Sequence, residues 1–375
     1  MKRAVLIGAG KKGRGLVGPV LSQSGYNIVI TDASRTLVNQ PNDKSGYTVH
    51  MTRGGKVDVN NLKVISISSD DLIEEIAIAD VITVEVGSKH ISEVETVLFD
   101  GINRRRDKNI DTPLNILVCE EDITMADQMH DQIFRMFDEQ TLKFAALNVV
   151  FVRCVIDRIT PVISGQELDI KTEEFYNWDI DAKAVRGNLD ITGANFVDDI
   201  EECWNRKFYI FNTGHVITAY LGFIRGCLTI DEAIAVPEIR SVVTSAMKES
   251  CQWLSNQYNW NVEQMNEYIQ NCIERFSSQE IPDILENICT NPIQKLHPDE
   301  CLVRPITECL RLGCPADHLI IGLAAALHYN VPEDPQSVEL MEMIKKDGLQ
   351  ETIQNLTGIR ELPLLEKIIY EYKKI

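Results

Sequence analysis

The sequence predicts an α/β protein, with a Rossmann-type doubly wound parallel sheet at the N-terminal end and a mainly α-helical C-terminal domain. Three observations predict it. Ala4-Val5-Leu6-Ile7 runs into Gly8-Ala9-Gly10-Lys11-Lys12-Gly13 and then into an apolar-periodic stretch through Leu16, Val17, Val20 and Leu21, which reads as strand, turn, helix. Further short apolar strands at 28–31, 81–84 and 115–118 alternate with helical periods. Such alternation builds right-handed βαβ crossovers and a mainly parallel sheet. Beyond about Asn195 the pattern changes to long helical periods over 198–218, 239–258, 262–276, 302–312 and 316–329. The polar stretch 163–193, with Gly165, Gly187 and Gly193, marks the passage between domains, drawn at 1–190 and 191–375.

Composition narrows the function. A chain of 375 residues with 44% hydrophobic and 25% charged residues is long enough for two globular cores. Its formal net charge of −19 repels polyanions, so neither nucleic acid nor an anionic membrane surface is an expected partner. An anionic small substrate would need local lysine or arginine. Ten cysteines without a CxxC pair read as reduced thiols of a cytoplasmic protein, and no metal site is expected. The strand pattern begins within the first few residues, and no apolar run reaches membrane-spanning length, so neither an export signal nor a membrane anchor is expected.

The first chemical motif is Gly8-x-Gly10-x-x-Gly13. Glycine is needed there for a tight turn, for close approach of backbone to a pyrophosphate, and for close helix-to-strand packing. The phosphates sit at the helix N-terminus. Asp32, at the end of the second strand, stands where a carboxylate accepts from a ribose 2′-hydroxyl and repels a 2′-phosphate, which favours NAD over NADP, with Arg35 nearby working weakly against that preference. Ala9 in the turn and Val86-Gly87 after the strand at 81–84 complete the expected cofactor contacts. Without a ligand, the same residues would make a plain glycine-rich turn, with Asp32 a helix cap.

The second motif is Lys207-x4-Asn212-x2-His215. On an α-helix these three fall within an arc of roughly 140° and can share one face. A desolvated lysine can take an alcohol proton as hydride leaves, and an amide N–H can stabilise the developing alkoxide, so no metal is required. Spacing alone favours a solvated lysine, a local asparagine and a satisfied core histidine.

The motif continues as Asn212-Thr213-Gly214-His215-x-Ile217-Thr218-Ala219-Tyr220-Leu221-Gly222, and in this form it resembles the polyol-specific long-chain dehydrogenases. The resemblance extends through Gly8-Ala9-Gly10, Gly13-Arg14-Gly15, Pro113-Leu114-Asn115-Ile116, Cys119-Glu120, Val155-Ile156-Asp157-Arg158-Ile159 and Ala324-Ala325-Ala326-Leu327-His328. It implies a Rossmann domain, a helical domain and an active site in the cleft between them. It further implies Lys207 as general acid/base, Asn212 as oxyanion donor and His215 as an orienting partner of substrate or lysine, with Asp157 near substrate hydroxyls or in an ion pair with a neighbouring arginine. The implied reaction is metal-free oxidation of mannitol 1-phosphate by NAD to fructose 6-phosphate, run by a monomer or a small homo-oligomer. An unphosphorylated polyol or a sugar acid is the alternative substrate, and NAD binding without turnover the alternative role.

Two departures from the family pattern bear on substrate. Where the family has asparagine after Cys119-Glu120, this chain has Glu121, and a carboxylate there would repel a developing alkoxide. Loss of one oxyanion donor costs about 10²–10³ in rate. Ser278-Gln279 stands in place of an Asn-Pro pair, and Asn287, Thr290 and Gln294 occupy places where arginines would hold a phosphate. Lys295 and Arg304 remain as candidate anion binders.

Overall fold

Valine, isoleucine and leucine crowd the strands of the first half of the chain because helices cover those strands on both faces. The computed structural model describes residues 2–8, 10–32, 46–160 and 168–375. These strands are β1 (Lys2–Ile7), β2 (Tyr26–Asp32), β3 (Gly46–Met51), β4 (Lys56–Asn60), β5 (Leu62–Ser66), β6 (Val81–Val84), β7 (Leu114–Val118), β8 (Val149–Asp157), β9 (Ile170–Thr172), β10 (Asn177–Asp181) and β11 (Asn195–Val197). Eight of them form one sheet in the order β11-β10-β8-β7-β6-β1-β2-β5. Every neighbouring pair is parallel except β8–β10. A second sheet has the order β4-β3-β9.

Alternation along β1 divides the core. Ala4 and Leu6 join one buried cluster with Leu16, Val20 and Trp178, while Val5 and Ile7 join another with Ile76, Val94 and Met129. The second cluster is supplied by α2 (Asp70–Ala77), α3 (Ile91–Asp107), α4 (Met125–Met136) and α5 (Glu139–Asn148), and the first receives α1 (Gly18–Gln23).

A π-helical turn, Gly13–Val17, precedes α1. Two carbonyls of this turn are met by side chains from elsewhere in the unit: Tyr47 Oη donates to the Arg14 carbonyl at 2.9 Å, and Arg158 Nη1 donates to the Gly15 carbonyl at 2.7 Å. Arg158 is buried, and its Nε and Nη2 also donate to the Glu173 carbonyl. Arg158→Met keeps the stem but strips donors from two buried carbonyls, so stability should fall by about 3 kcal/mol. A thermal melt should then shift down by roughly 6–12 °C. An unchanged melting temperature would mean that the turn does not depend on this guanidinium.

The chain divides into two units, Met1–Cys203 and Trp204–Ile375. The first extends past the expected limit of residue 190 because β11 pairs with β10 and carries residues 191–203 with the sheet. The stretch expected as one helix over 198–218 is α6 (Ile200–Arg206), a π turn (Lys207–Asn212) and α7 (Thr213–Ile224). Periodicity alone could not separate these three. There follow α8 (Ile230–Ala235), α9 (Pro237–Tyr258), α10 (Val262–Phe276), α11 (Leu285–Cys289), α12 (Pro292–Lys295), α13 (Arg304–Arg311) and α14 (Asp317–Ala326). The apolar α7 is the axis of this unit and packs against α8, α9, α11 and α14. Among the described residues no helix is long and apolar enough to cross a membrane.

Candidate active site

In the first unit, β1, β2, β6 and β7 end on one edge of the sheet. The Gly8 N–H donates to the Thr31 carbonyl at 2.9 Å, Glu85 N–H to Ile7 at 2.9 Å, and Cys119 N–H to Val84 at 2.8 Å. Strand order reverses between β1 and β6, and the carboxyl edge at such a switch point is where open α/β sheets take ligands. Gly8 has φ +111°, and a Cβ there would lie 1.9 Å from the Glu85 carbonyl oxygen, while one on Gly13 would lie 2.3 Å from the Gly8 carbonyl. Gly8 and Gly13 are thus packed against backbone, Gly10 faces the Glu85 carboxyl, and the turn opens a helix whose N-terminus fits a dinucleotide's diphosphate. Asp32 ends β2 on this edge. Ala9 and Arg35 lie outside the described residues. The N–H groups of Val86 and Gly87 are engaged by Glu120 Oε1, at 2.7 and 3.2 Å.

Charged groups converge on this turn. Lys12 forms an ion pair with Glu121, whose expected bare carboxylate is therefore matched by an ammonium. Burial works against the Lys12 charge, but the fields of Glu121, Glu85 and Asp157 outweigh it and move its pKa up. Asp157, expected near substrate hydroxyls, is buried at the end of β8, paired in register with Asn177, and contributes to that field. Glu85 Oε2 accepts from the Gly13 N–H at 3.2 Å. Burial pushes the Glu85 carboxyl up to about 7, against the pull of Lys12 and with the push of Glu120.

In the second unit, the π turn rearranges the lysine motif. Its i→i+5 closure stacks Lys207 beneath Asn212, where an α-helix would set them roughly 140° apart. His215 follows Asn212 at the i, i+3 spacing that neighbours share on a helix face. Over residues 209–220 every position is buried except Asn212 and His215, which are partly exposed, as is Lys207. The three candidates are thus the partly exposed polar residues of 207–220, a segment in which Phe208 is partly exposed as well.

His215 Nε2 donates to Asp283 Oδ2 at 2.9 Å. An ionised carboxylate only accepts, so Nε2 carries the hydrogen and Nδ1 of the neutral ring is left as the acceptor. The ring stacks on Phe276, with centroids 5.2 Å apart, and lies 5.7 Å from Phe211, whose ring also meets Phe276 at 5.1 Å and the Arg275 guanidinium at 4.4 Å. Asp283 is held through its carbonyl, which accepts from the Ile230 N–H at 2.9 Å.

The two candidate anion binders are already engaged. Lys295 Nζ donates to the Thr290 carbonyl, and burial lowers its pKa. Arg304 pairs with Asp299 at 2.8 Å and with Glu308 at 3.9 Å.

Comparison with known proteins identifies the family and the fold. Residues 2–193 match the mannitol dehydrogenase Rossmann domain, and residues 199–375 match the mannitol dehydrogenase C-terminal domain. The chain belongs to the mannitol dehydrogenase family. Within the mannitol dehydrogenase family it is 33% identical to a protein of Thermoanaerobacter pseudethanolicus named mannitol-1-phosphate 5-dehydrogenase, over 100% of this chain and 98% of the relative. A protein of the same name from Bacillus licheniformis is 32% identical, over 99% of each chain. The fold is shared with Pseudomonas fluorescens mannitol 2-dehydrogenase in complex with NAD and D-mannitol (TM-score 0.76, 17% identity, 100% of this chain and 90% of that one). It is also shared with a substrate-free D-sorbitol dehydrogenase (TM-score 0.80, 14% identity, 99% and 92%).

Against this mannitol dehydrogenase background, three residues escape the sequence reading. Asp283 is 68 positions from His215, beyond any periodic signal. Lys12 lies at an unspecified position of the fingerprint. Glu85 carries the one available signal, an acidic residue placed directly after the fully buried strand Val81–Val84.

Proposed function

We propose that this protein is an NAD-dependent oxidoreductase acting on a CH–OH group, interconverting mannitol 1-phosphate and fructose 6-phosphate without a metal. The observation that carries this reading is the stripe of Lys207, Asn212 and His215, the partly exposed polar residues of the segment 207–220. Bound at the glycine turn, NAD supplies the hydride acceptor. Lys207 takes the proton of the substrate hydroxyl, Asn212 donates its amide N–H to the oxygen as charge develops there, and His215 offers Nδ1 to a substrate hydroxyl. Asp283 keeps that imidazole in one tautomer. The phosphorylated substrate is supported by the names of the relatives at 30–33% identity. Ten cysteines without a CxxC pair fit a reducing, cytoplasmic setting.

The engagement of Lys295 and Arg304 by groups of the protein itself favours a second reading, in which the substrate is an unphosphorylated polyol or a sugar acid. Loss of NADH absorbance on adding fructose 6-phosphate, fructose or tagaturonate separates the two. The first reading expects kcat/KM for fructose 6-phosphate to exceed that for fructose by at least about tenfold, the worth of one charge-assisted hydrogen bond. Equal or better use of fructose or tagaturonate overturns it in favour of the second. NAD binding with no turnover of any of the three leaves a binding role.

A further inference from the structure

The carboxyl group of Glu85 lies inside the glycine turn. Its Oε2 accepts from the Gly13 N–H at 3.2 Å, and a Cβ on Gly10 would stand 2.9 Å from the same oxygen. That N–H opens the helix whose N-terminus receives a diphosphate. Glu85 therefore places a carboxyl where the anionic part of a dinucleotide is expected. The groups facing it are Lys12 from the turn itself, and Glu120, Glu121 and the Cys119 thiol from the segment after β7. Lys12 is already paired with Glu121, and the Glu120 carboxylate is held by the N–H groups of Val86 and Gly87. Carboxylates outnumber the cation in this group before any phosphate arrives.

We propose that dinucleotide binding at the glycine turn is linked to uptake of one proton from solvent by Glu85, whose neutral carboxyl then lies beside the diphosphate. The proposal rests on the cofactor reading above. Burial already brings this carboxyl to about 7, so protonation near neutral pH is inexpensive, and a diphosphate placed beside it raises the affinity for the proton further. Affinity for NAD is full where Glu85 is protonated, below about pH 7, and declines as pH rises through that value. The dissociation constant should increase about tenfold from pH 6 to pH 8, with proton uptake of about 0.9 per NAD at pH 8 and about 0.1 at pH 6.

The test is titration calorimetry of the full chain with NAD, at each pH, in two buffers of different ionisation enthalpy. Glu85→Gln keeps the shape and removes the charge. It should bind at pH 8 with about the affinity that the native protein shows at pH 6, with the same enthalpy in both buffers. Binding by the native protein at pH 8 without proton uptake overturns the proposal and leaves the cofactor reading intact, as does a pH dependence that persists in Glu85→Gln. Absence of NAD binding at either pH in both proteins overturns the cofactor reading and the proposal together. If Glu85→Gln does not fold, the proton stoichiometry of the native protein decides alone.

Discussion

Lys207→Ala is expected to lower kcat by about 10²–10⁴ while leaving the NAD dissociation constant within about twofold. The size comes from the role. A positioned base removes the hydroxyl proton as hydride departs, and without it water must serve. Cofactor affinity should be spared because the glycine turn belongs to the first unit and Lys207 opens the π turn of the second. Steady-state kinetics with fructose 6-phosphate, together with calorimetric binding of NAD, checks both halves. A kcat within tenfold of the native value would remove Lys207 from the chemistry. A parallel loss of NAD binding would instead point to misfolding, which a thermal melt would reveal.

Asn212→Ala is the second large effect, with an expected loss of about 10²–10³ in kcat, the usual consequence of deleting one oxyanion donor. The π turn explains why this amide rather than a neighbouring residue is implicated. Phe211 and Thr213 on either side are buried, and the Thr213 hydroxyl donates to the Cys301 carbonyl at 2.8 Å, so Asn212, with Lys207, is a polar side chain of that turn left partly exposed. KM should change much less than kcat, since the amide contributes most when charge has developed on oxygen. A proportionate rise in KM with kcat preserved would make Asn212 a binding contact for the ground state.

The cofactor end was legible because its signals are local. A buried strand, three glycines at fixed spacing and an acidic residue at the end of the next strand lie within 32 residues, and each obeys a short-range steric or electrostatic requirement. The lysine motif was legible as a set of residues but not as a geometry. Hydrophobic periodicity over 198–218 is satisfied by one continuous helix, and only the backbone shows that its middle widens into a π turn. The charge cluster at the glycine turn was hidden for a different reason. Lys12, Glu85 and Glu121 come from three separate strand ends, brought together by parallel strand pairing, so Glu121 read in isolation resembled an uncompensated carboxylate. His215 and Asp283 meet through the packing of α7 against its neighbours, which no spacing rule anticipates.

Both motifs stand on π turns, Gly13–Val17 and Lys207–Asn212. A π turn inside a helix holds one residue more than an α-helical path would need. Chain length at these two points is therefore part of the site. Straightening the second segment into a regular helix at unchanged length would set Lys207 and Asn212 roughly 140° apart, whereas removing one residue between them, such as Phe208, would make them i, i+4 neighbours that share a face again. The wider turn is what lets a five-residue spacing keep Lys207 aligned with Asn212. Homologues that keep the chemistry should therefore match residue count to turn type here, a five-residue spacing with a π turn or a four-residue spacing with a regular helix.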